Sequence, residues 1–206
     1  MRDKEQGTKI IFVRHGMTDF PKDRLYCDDR EDPVLNEYGF KQAQMAANML
    51  ADEQVDFIFS SPLKRAMMTA EAIAGKNRLR LQTNSDLKER PFGIWDGLYF
   101  AAIERDFPGE YQAWKKSPDI FVPEGGESIH ALLARVKKAV DDIVLHHHGK
   151  TVVIVTHVGP IRVMVSHSLN MPLQGYRQLT IDYGSLTRID YGGRQNNLVY
   201  LNRYQC

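Results

Sequence analysis

The sequence predicts an α/β fold in which strands and helices alternate and build a layered sheet. Short continuous apolar runs, such as residues 10–13 and 151–155, have the length and composition of strands buried on both faces. Longer amphipathic stretches separate these runs, and residues 128–146 carry apolar side chains at helical spacing. Three of the apolar runs end in segments rich in histidine, arginine or serine.

The first half of the chain alternates strand and helix signals. Asn36 is a preferred N-cap residue, and Pro62 suits the first turn of a helix because that turn has no use for its missing N–H. In chain order we expect a strand over 10–13, a loop over 19–33, a helix over 36–50, a strand over 55–59, a helix over 63–74, a weak strand over 79–81 and an exposed loop over 84–97.

The second half continues this alternation and closes with a hairpin. In chain order we expect a helix over 98–114 broken at Pro108-Gly109, a helix over 128–146, a strand over 151–155, a helix over 160–169 and a hairpin over 178–202. A length of 206 residues suits one domain over residues 1–206, with residues 1–8 as a flexible tail.

Composition narrows the classes of function. The 27 basic and 26 acidic residues nearly cancel, which argues against a surface for nucleic acid but leaves room for a local anion pocket. The polar N-terminus lacks an apolar signal region, and no apolar run approaches the roughly 20 residues of a membrane span. Cys27 and Cys206 lack a partner motif, so we expect no disulfide and a cytoplasmic location. A homodimer remains open.

The strand ends predict an anion site. In open α/β sheets, ligands bind outside the carboxyl ends of the strands. Arg14 and His15 follow the first strand, Arg65 follows the second, and His157 follows the strand at 151–155. If these strands are parallel neighbours, two imidazoles and two guanidinium groups converge, and the amides of the following helices point at the same place.

The residue types fit phosphoryl transfer. A neutral imidazole is a competent nucleophile near neutral pH, and arginine presents a planar fork that matches phosphate oxygens. Protonation of the leaving oxygen needs a carboxylic acid. Glu89 is the best candidate, although Asp86 and Asp96 share its loop. We expect the polarity around Glu89 to be lowered by three neighbouring aromatic side chains, those of Phe92, Trp95 and Tyr99.

Other catalytic motifs fail. Gly149-Lys150-Thr151 is similar to the end of a P-loop, but the first glycine of that motif would fall at Val144. A cysteine phosphatase would need arginine six residues after its cysteine, but the residue six positions after Cys27 is Pro33. The run at residues 146–148 consists of three histidines, which we interpret as the end of a helix rather than as a metal tract, since adjacent helical positions do not face one another.

Five blocks in order resemble the histidine phosphatase superfamily, also called the phosphoglycerate mutase-like family. The resemblance covers nearly the whole chain, and its blocks lie at residues 14–18, 32–43, 60–71, 89–97 and 156–159. The resemblance implies a three-layer α/β/α sandwich with a mostly parallel central sheet. It also implies that His15 becomes a phosphohistidine and that Glu89 is the acid and then the base. Phosphate binding would use Arg14, Thr18, Arg65, His157 and Val158. No metal or organic cofactor is implied.

The chain departs from the family pattern near the substrate. Met17 stands where a glutamate is common, and Pro21 where an asparagine is common. Val158 and Val34 replace a usual glycine and a usual proline. Because none of these changes touches Glu89 or the four residues Arg14, His15, Arg65 and His157, we expect the chemistry to be kept and the specificity to be altered.

The leading hypothesis is a metal-independent phosphomonoesterase that hydrolyses a small soluble phosphorylated metabolite through phospho-His15. One alternative is a mutase, which returns the phosphoryl group to substrate. Relatives of that type are generally longer beyond the acid loop. A second alternative is a pocket that binds phosphoprotein without catalysis. Phosphoglycerate-like acids, sugar phosphates, nucleotides and α-ribazole phosphate all remain candidate substrates.

Overall fold

The apolar runs of the sequence become strands of one sheet in a computed structural model, which describes residues 7–26, 30–192 and 195–205. In chain order the elements are β1 (Thr8–Arg14), α1 (Glu37–Met49), β2 (Phe57–Ser60), α2 (Lys64–Asn77), β3 (Leu81–Thr83), α3 (Phe100–Asp106), α4 (Pro108–Lys116), α5 (Ile129–His146), β4 (Thr151–Thr156), α6 (Val158–Ser168), β5 (Leu186–Tyr191) and β6 (Asn197–Arg203). Short 3₁₀ helices cover Ser85–Leu87, Gly93–Trp95 and Leu173–Gln178.

The six strands of the described ranges pair in the order β3-β2-β4-β1-β5-β6. The first four are parallel, and β5 and β6 complete an antiparallel hairpin at one edge. In the β1–β4 register, Arg14 lies opposite Thr156. The residues that follow, His15 and His157, therefore leave the sheet side by side. The expected mostly parallel sheet and the C-terminal hairpin are confirmed.

Helices cover both faces of this sheet. Ile10 and Phe12 of β1 point into a core shared with α5 and α6. The alternate residues, Ile11 and Val13, point into a second core shared with α1 and α2. This alternation follows from the period of two along a strand. The three-layer α/β/α sandwich is confirmed.

A smaller apolar cluster lies beside these layers and holds the segment that carries Glu89. Trp95 is buried there against α3 and α4, together with Trp114. The expected exposed loop over 84–97 is therefore wrong, since Leu87 and Arg90 are also buried. Burial of such a loop requires partners for its backbone, because an unpaired buried carbonyl costs free energy.

Two helix starts match the sequence and two differ. The side chains of Asn36 and Ser128 accept hydrogen bonds from the backbone three residues further on, as N-caps do. Pro62 lies just outside α2, whose N-cap is Leu63. Helix α6 begins directly after His157 rather than at Pro160. Pro160 therefore lies in the first turn of α6, which tolerates proline because the N–H groups of that turn lack helical partners.

The expected flexible segment over residues 1–8 overlaps the first strand. Thr8 begins β1 and is fully buried, so a flexible segment over residues 1–8 is wrong at that position. Residues 1–6, Cys27 and Cys206 lie outside the described ranges. Within those ranges, no helix has the length and apolar character that crossing a membrane requires.

Candidate active site

His15 lies at the carboxyl end of β1 with a fixed tautomer. Its Nε2 is 3.2 Å from Nε of Arg65. A guanidinium N–H can only donate, so Nε2 must accept and must carry a lone pair. The ring proton then resides on Nδ1, which lies 2.8 Å from the Gly16 carbonyl oxygen and donates to it. His15 is 7% exposed and presents this lone pair at the site.

Arg65 is held in place by the first turn of α2 and by contacts from the preceding loop. Its side chain is buried, and its Nη1 donates to the Tyr26 hydroxyl at 2.8 Å. The carboxylate of Asp32 lies 3.6 Å from the same nitrogen and accepts from the Lys64 amide at 2.9 Å. One carboxylate thus orients Arg65 and supplies an acceptor at the start of α2.

His157 begins the turn from β4 into α6 and lies beside His15. The two ring centroids are 5.0 Å apart. Nε2 of His157 is 2.8 Å from Oγ of Ser61, which follows β2. Its Nδ1 is buried and has no hydrogen-bond partner among the described residues. A buried nitrogen of this kind is available to a ligand.

Arg14 faces the same end of the sheet and is braced by the segment before β5. Its Nη1 donates to the Ile181 carbonyl at 2.6 Å, and its Cζ lies 3.6 Å from the centre of the Tyr183 ring. Its Nε is buried without a partner in the described part of the chain. The Tyr183 ring also contacts His15, with centroids 5.6 Å apart. The structure therefore brings the expected nucleophile together with Arg14, Arg65 and His157.

The electrostatics of this group favour neutral imidazoles. Burial lowers the pKa of His15 well below its ordinary value, and the charges of Arg65 and Arg14 lower it further. The pKa of His157 is lowered well below its ordinary value for the same reasons, burial first and then Arg65. The charges of Arg65 and Arg14, which disfavour protonation of both imidazoles, also attract an anion.

This electrostatic arrangement predicts acid sensitivity. Both pKa values are lowered in the folded chain, so below about pH 6.5 the unfolded chain binds more protons. We expect the two imidazoles to leave the free energy of unfolding undiminished above about pH 6.5. As the pH is lowered below this value, the free energy of unfolding should fall by up to about 1.4 kcal/mol per pH unit for each imidazole. Urea unfolding at about pH 7.5 and 5.5, on either side of the ordinary histidine pKa, measures this.

A histidine substitution supplies the control for this prediction. His157→Gln is expected to show a shallower decline of unfolding free energy on acidification, because one imidazole with a lowered pKa is removed. The exposed His130→Gln is the matched control. Identical declines in wild type and His157→Gln would contradict the assignment.

Glu89 lies against the start of α6. Its Oε2 accepts from the Gly159 amide at 3.2 Å, and its Oε1 accepts from the Arg90 amide at 2.9 Å. A Cβ at Gly159 would overlap the carboxylate, so glycine is needed for this close approach. Glu89 and Arg14 line one cleft of about 400 Å³. Neither Asp86 nor Asp96 lines that cleft.

The loop that carries Glu89 is braced from α5. Arg135 donates to the backbone carbonyl oxygens of Asp86, Lys88 and Glu89 at 2.7, 2.8 and 3.0 Å. The carboxylate of Glu127 forms a two-pronged ion pair with the same guanidinium. These bonds satisfy the backbone and explain how a polar loop is buried.

The aromatic surroundings of Glu89 differ from the expectation. Phe92 lines the cleft, whereas Trp95 packs in the separate cluster and Tyr99 is 47% exposed. The cleft instead takes Phe100 and Trp114 from the segment after the loop. Trp114 is thus both a packing residue and a cleft wall.

Thr18 and Val158 differ in their surroundings, and the phosphate-binding role of Val158 stays a prediction. Val158 is the first residue of α6 and lines the cleft with Glu89. Thr18 is engaged locally, where its hydroxyl accepts from the Phe20 amide at 3.3 Å and its backbone bridges to Leu35. None of these contacts joins Thr18 to His15, and its phosphate role stays a prediction.

Sequence reasoning missed several residues that contact the site. Tyr26 and Tyr183 brace the two arginines, and Arg162 and Arg177 line the cleft. No local pattern marks them, because each reaches the site only through the folded chain.

The histidines at the end of α5 have partners of their own. His146 is hydrogen-bonded to the Asp142 carbonyl, and His147 stacks on Phe57. His146 and His147 therefore have structural contacts, and the run begins at the end of α5, where the sequence interpretation placed it.

The fold and the site define an α/β protein with a cluster of two arginines and two imidazoles at the carboxyl edge of a parallel sheet. A family model of the histidine phosphatase superfamily (branch 1) matches residues 10–203. The chain belongs to this superfamily, which confirms the family resemblance found in the sequence.

Proteins similar to this chain in sequence and in structure include two that are named as phosphatases. A bifunctional protein of Mycobacterium tuberculosis is 37% identical over 186 residues, which are 89% of this chain and 50% of that protein. The chain thus spans half the length of that relative. Phosphoserine phosphatase 1 of Hydrogenobacter thermophilus is 32% identical over 94% of this chain and 92% of its own. The structure of a mycobacterial glucosyl-3-phosphoglycerate phosphatase superposes with a TM-score of 0.84 at 28% identity and covers 96% of this chain and 99% of that one.

Proposed function

We propose that this chain is a metal-independent phosphomonoesterase that hydrolyses a small phosphorylated metabolite through a phosphohistidine on His15. One observation carries the proposal: the unprotonated Nε2 of a buried imidazole faces a cluster of Arg14, Arg65 and His157. A neutral nitrogen nucleophile beside fixed cations is what transfer of a dianionic phosphoryl group requires.

The first half-reaction forms the P–N bond. The lone pair of His15 Nε2 attacks phosphorus while the bond from phosphorus to the ester oxygen breaks. Positive charge develops on the ring, and the Nδ1–H bond to the Gly16 carbonyl stabilises it. The N–H that Arg65 directs at Nε2 in the resting site moves to a phosphate oxygen. Glu89 gives its proton to the departing oxygen, which leaves as an alcohol.

The second half-reaction reverses these roles. Glu89, now a carboxylate, takes a proton from water, and the water oxygen attacks the phosphorus of phospho-His15. The P–N bond breaks, and His15 regains its lone pair. Throughout, Arg14, Arg65 and the free Nδ1 of His157 donate to the equatorial oxygens, with the Val158 amide at the start of α6 as a further donor.

Relatives support hydrolysis over a mutase reaction. Phosphoserine phosphatase 1 matches along 92% of its length, and the glucosyl-3-phosphoglycerate phosphatase structure along 99% of its own. Both of these proteins are named as phosphatases, so we assign this chain to the hydrolytic branch. Residence in the cytoplasm, the absence of a nucleic-acid partner and a homodimer stay predictions.

Substitution of Glu89 separates its role from that of the neighbouring acids. We expect Glu89→Gln to slow hydrolysis of alkyl phosphates by roughly 10²- to 10⁴-fold, because their leaving oxygens need a proton. p-Nitrophenyl phosphate, whose leaving group needs none, should slow far less. The kcat/KM of each ester measures this, because it reports phosphorylation of His15 and excludes the later attack of water, with Asp86→Asn as the matched control. Equal slowing of both esters by Glu89→Gln would move the acid elsewhere.

A metabolite screen tests the function itself. We expect turnover of p-nitrophenyl phosphate and of at least one natural monoester, with release of inorganic phosphate that survives EDTA. Addition of a second alcohol as acceptor distinguishes the mutase, which would produce a new phosphate ester instead. Absence of phosphate release across the panel would contradict the proposal and favour the binding role.

A further inference from the structure

The cleft beside Glu89 holds more positive charge than one phosphate needs. Among the residues that the structure describes, the cleft is lined by one carboxylate, that of Glu89, and by five cationic side chains, which are Arg14, Lys22, Arg90, Arg162 and Arg177. The formal charge of this lining is +4, five cations less one carboxylate. A dianionic phosphoryl group held at Arg14 therefore leaves an excess of positive charge in the cleft.

Two of the guanidinium groups that line the cleft each have a buried donor without a hydrogen-bond partner in the described ranges. Arg177 lies over Trp114, with its Cζ 3.7 Å from the ring centre, and its buried Nη2 has no hydrogen-bond partner in the described ranges. Arg90 is 2% exposed, and its Nη1 likewise lacks a partner there. Buried donors of charged groups left unpaired carry a substantial free-energy cost, which a bound acceptor removes.

Backbone carbonyl groups orient two of the arginines that line the cleft, Arg162 and Arg90. Nε of Arg162 donates to the Leu179 carbonyl at 2.8 Å, and Nε of Arg90 donates to the Glu127 carbonyl at 2.6 Å. Both partners are neutral carbonyls. Burial lowers the pKa of Arg162, Tyr176 and Glu89 oppose this shift, and the nearby charge of Arg177 adds to it. The guanidinium groups are thus pre-oriented, positively charged and close enough to repel one another.

We propose that this part of the cleft is a second anion subsite, formed by Arg162 and Arg177 with Arg90 behind them. The inference rests on the proposed function and names its substrate class. The substrate is a small phosphate monoester that carries another anionic group, a carboxylate or a second phosphate, on the alcohol it loses. The aromatic walls Phe100 and Trp114 and the volume of about 400 Å³ limit its size. Neutral sugar monophosphates fit this charge pattern less well.

Pairs of esters that differ in the second anion test the subsite in the wild-type enzyme. For a carboxylate, 3-phosphoglycerate is compared with glycerol 3-phosphate, and for a second phosphate, fructose 1,6-bisphosphate with fructose 6-phosphate. We expect kcat/KM to favour the doubly anionic member of at least one pair by roughly 10- to 100-fold. The pair that shows the preference identifies the chemical source. Ratios near one in both pairs would overturn the subsite.

Arginine substitution locates the preference. In Arg177→Gln we expect the ratio of kcat/KM within the favoured pair to fall roughly tenfold or more, mostly through KM. Arg105→Gln removes an exposed guanidinium outside the cleft and should leave the ratio as in wild type. An unchanged ratio in a folded Arg177→Gln variant would overturn the assignment. Failure of the proposed function is distinguishable, because it would remove hydrolysis of p-nitrophenyl phosphate as well.

Discussion

Replacement of His15 by alanine is expected to lower kcat for every phosphate ester by at least about 10⁴-fold, the largest effect in this protein. His157 is no substitute for this nucleophile, because its Nε2 contacts Ser61 and the proposed mechanism uses its Nδ1 as a donor to the phosphate. Any residual hydrolysis would require direct attack of water on the ester, assisted only by the arginine side chains. Initial rates with p-nitrophenyl phosphate measure the loss.

Loss of folding must be separated from loss of the nucleophile. The ring of His15 contacts those of His157 and Tyr183, so alanine leaves a small void. Circular dichroism and the urea midpoint of His15→Ala check the fold, and His15→Asn keeps more of the volume. A folded His15→Ala enzyme that retains more than a small fraction of wild-type kcat would contradict the nucleophile assignment.

The second large effect is expected at Arg65. Its Arg65→Gln variant should lose roughly 10³-fold or more in kcat/KM, because a pre-oriented cation at the equatorial oxygens is removed. Arg65→Lys should restore little, since an ammonium cannot contact His15 and Tyr26 at once through a planar fork. Kinetics of both variants, with the exposed Arg105→Gln as control, measure this. Equal rates for Arg65→Lys and wild type would contradict it.

The same substitution has an electrostatic signature. Arg65 is the nearby charge that most lowers the pKa of His15, after burial itself. Its removal should therefore raise the pKa of His15 relative to wild type. Nitrogen-15 NMR of the imidazole during acidification from neutral pH follows this. A purely structural role for Arg65 would leave the His15 titration in place.

The sequence was sufficient wherever a local signal carried the structure. The apolar runs predicted β1 and β4, and the strand-end rule placed His15 and His157 together because adjacent parallel strands end at one edge. The caps at Asn36 and Ser128 were readable for a similar reason, since one side chain and one turn suffice. Glu89 was separable from the other acids of its loop only once the cleft was visible.

The sequence could not predict contacts between segments that lie far apart in the chain. The loop over 84–97 looked exposed because its composition is polar, yet Arg135 on α5 satisfies its carbonyl groups and permits burial. Arg177 lies on Trp114, and Tyr183 against Arg14, through contacts between segments far apart in the chain. No periodicity or motif encodes such pairs, so a charged cleft could be expected but its outer arginines could not.

The location of the transferred phosphoryl group tests the nucleophile assignment most directly. Enzyme mixed with a labelled monoester is quenched in base within the first turnover, digested and sequenced by mass spectrometry. We expect an acid-labile phosphate on Nε2 of His15, formed and lost at rates that match kcat. Phosphate recovered on another side chain, or hydrolysis without any phosphoprotein, would contradict this mechanism.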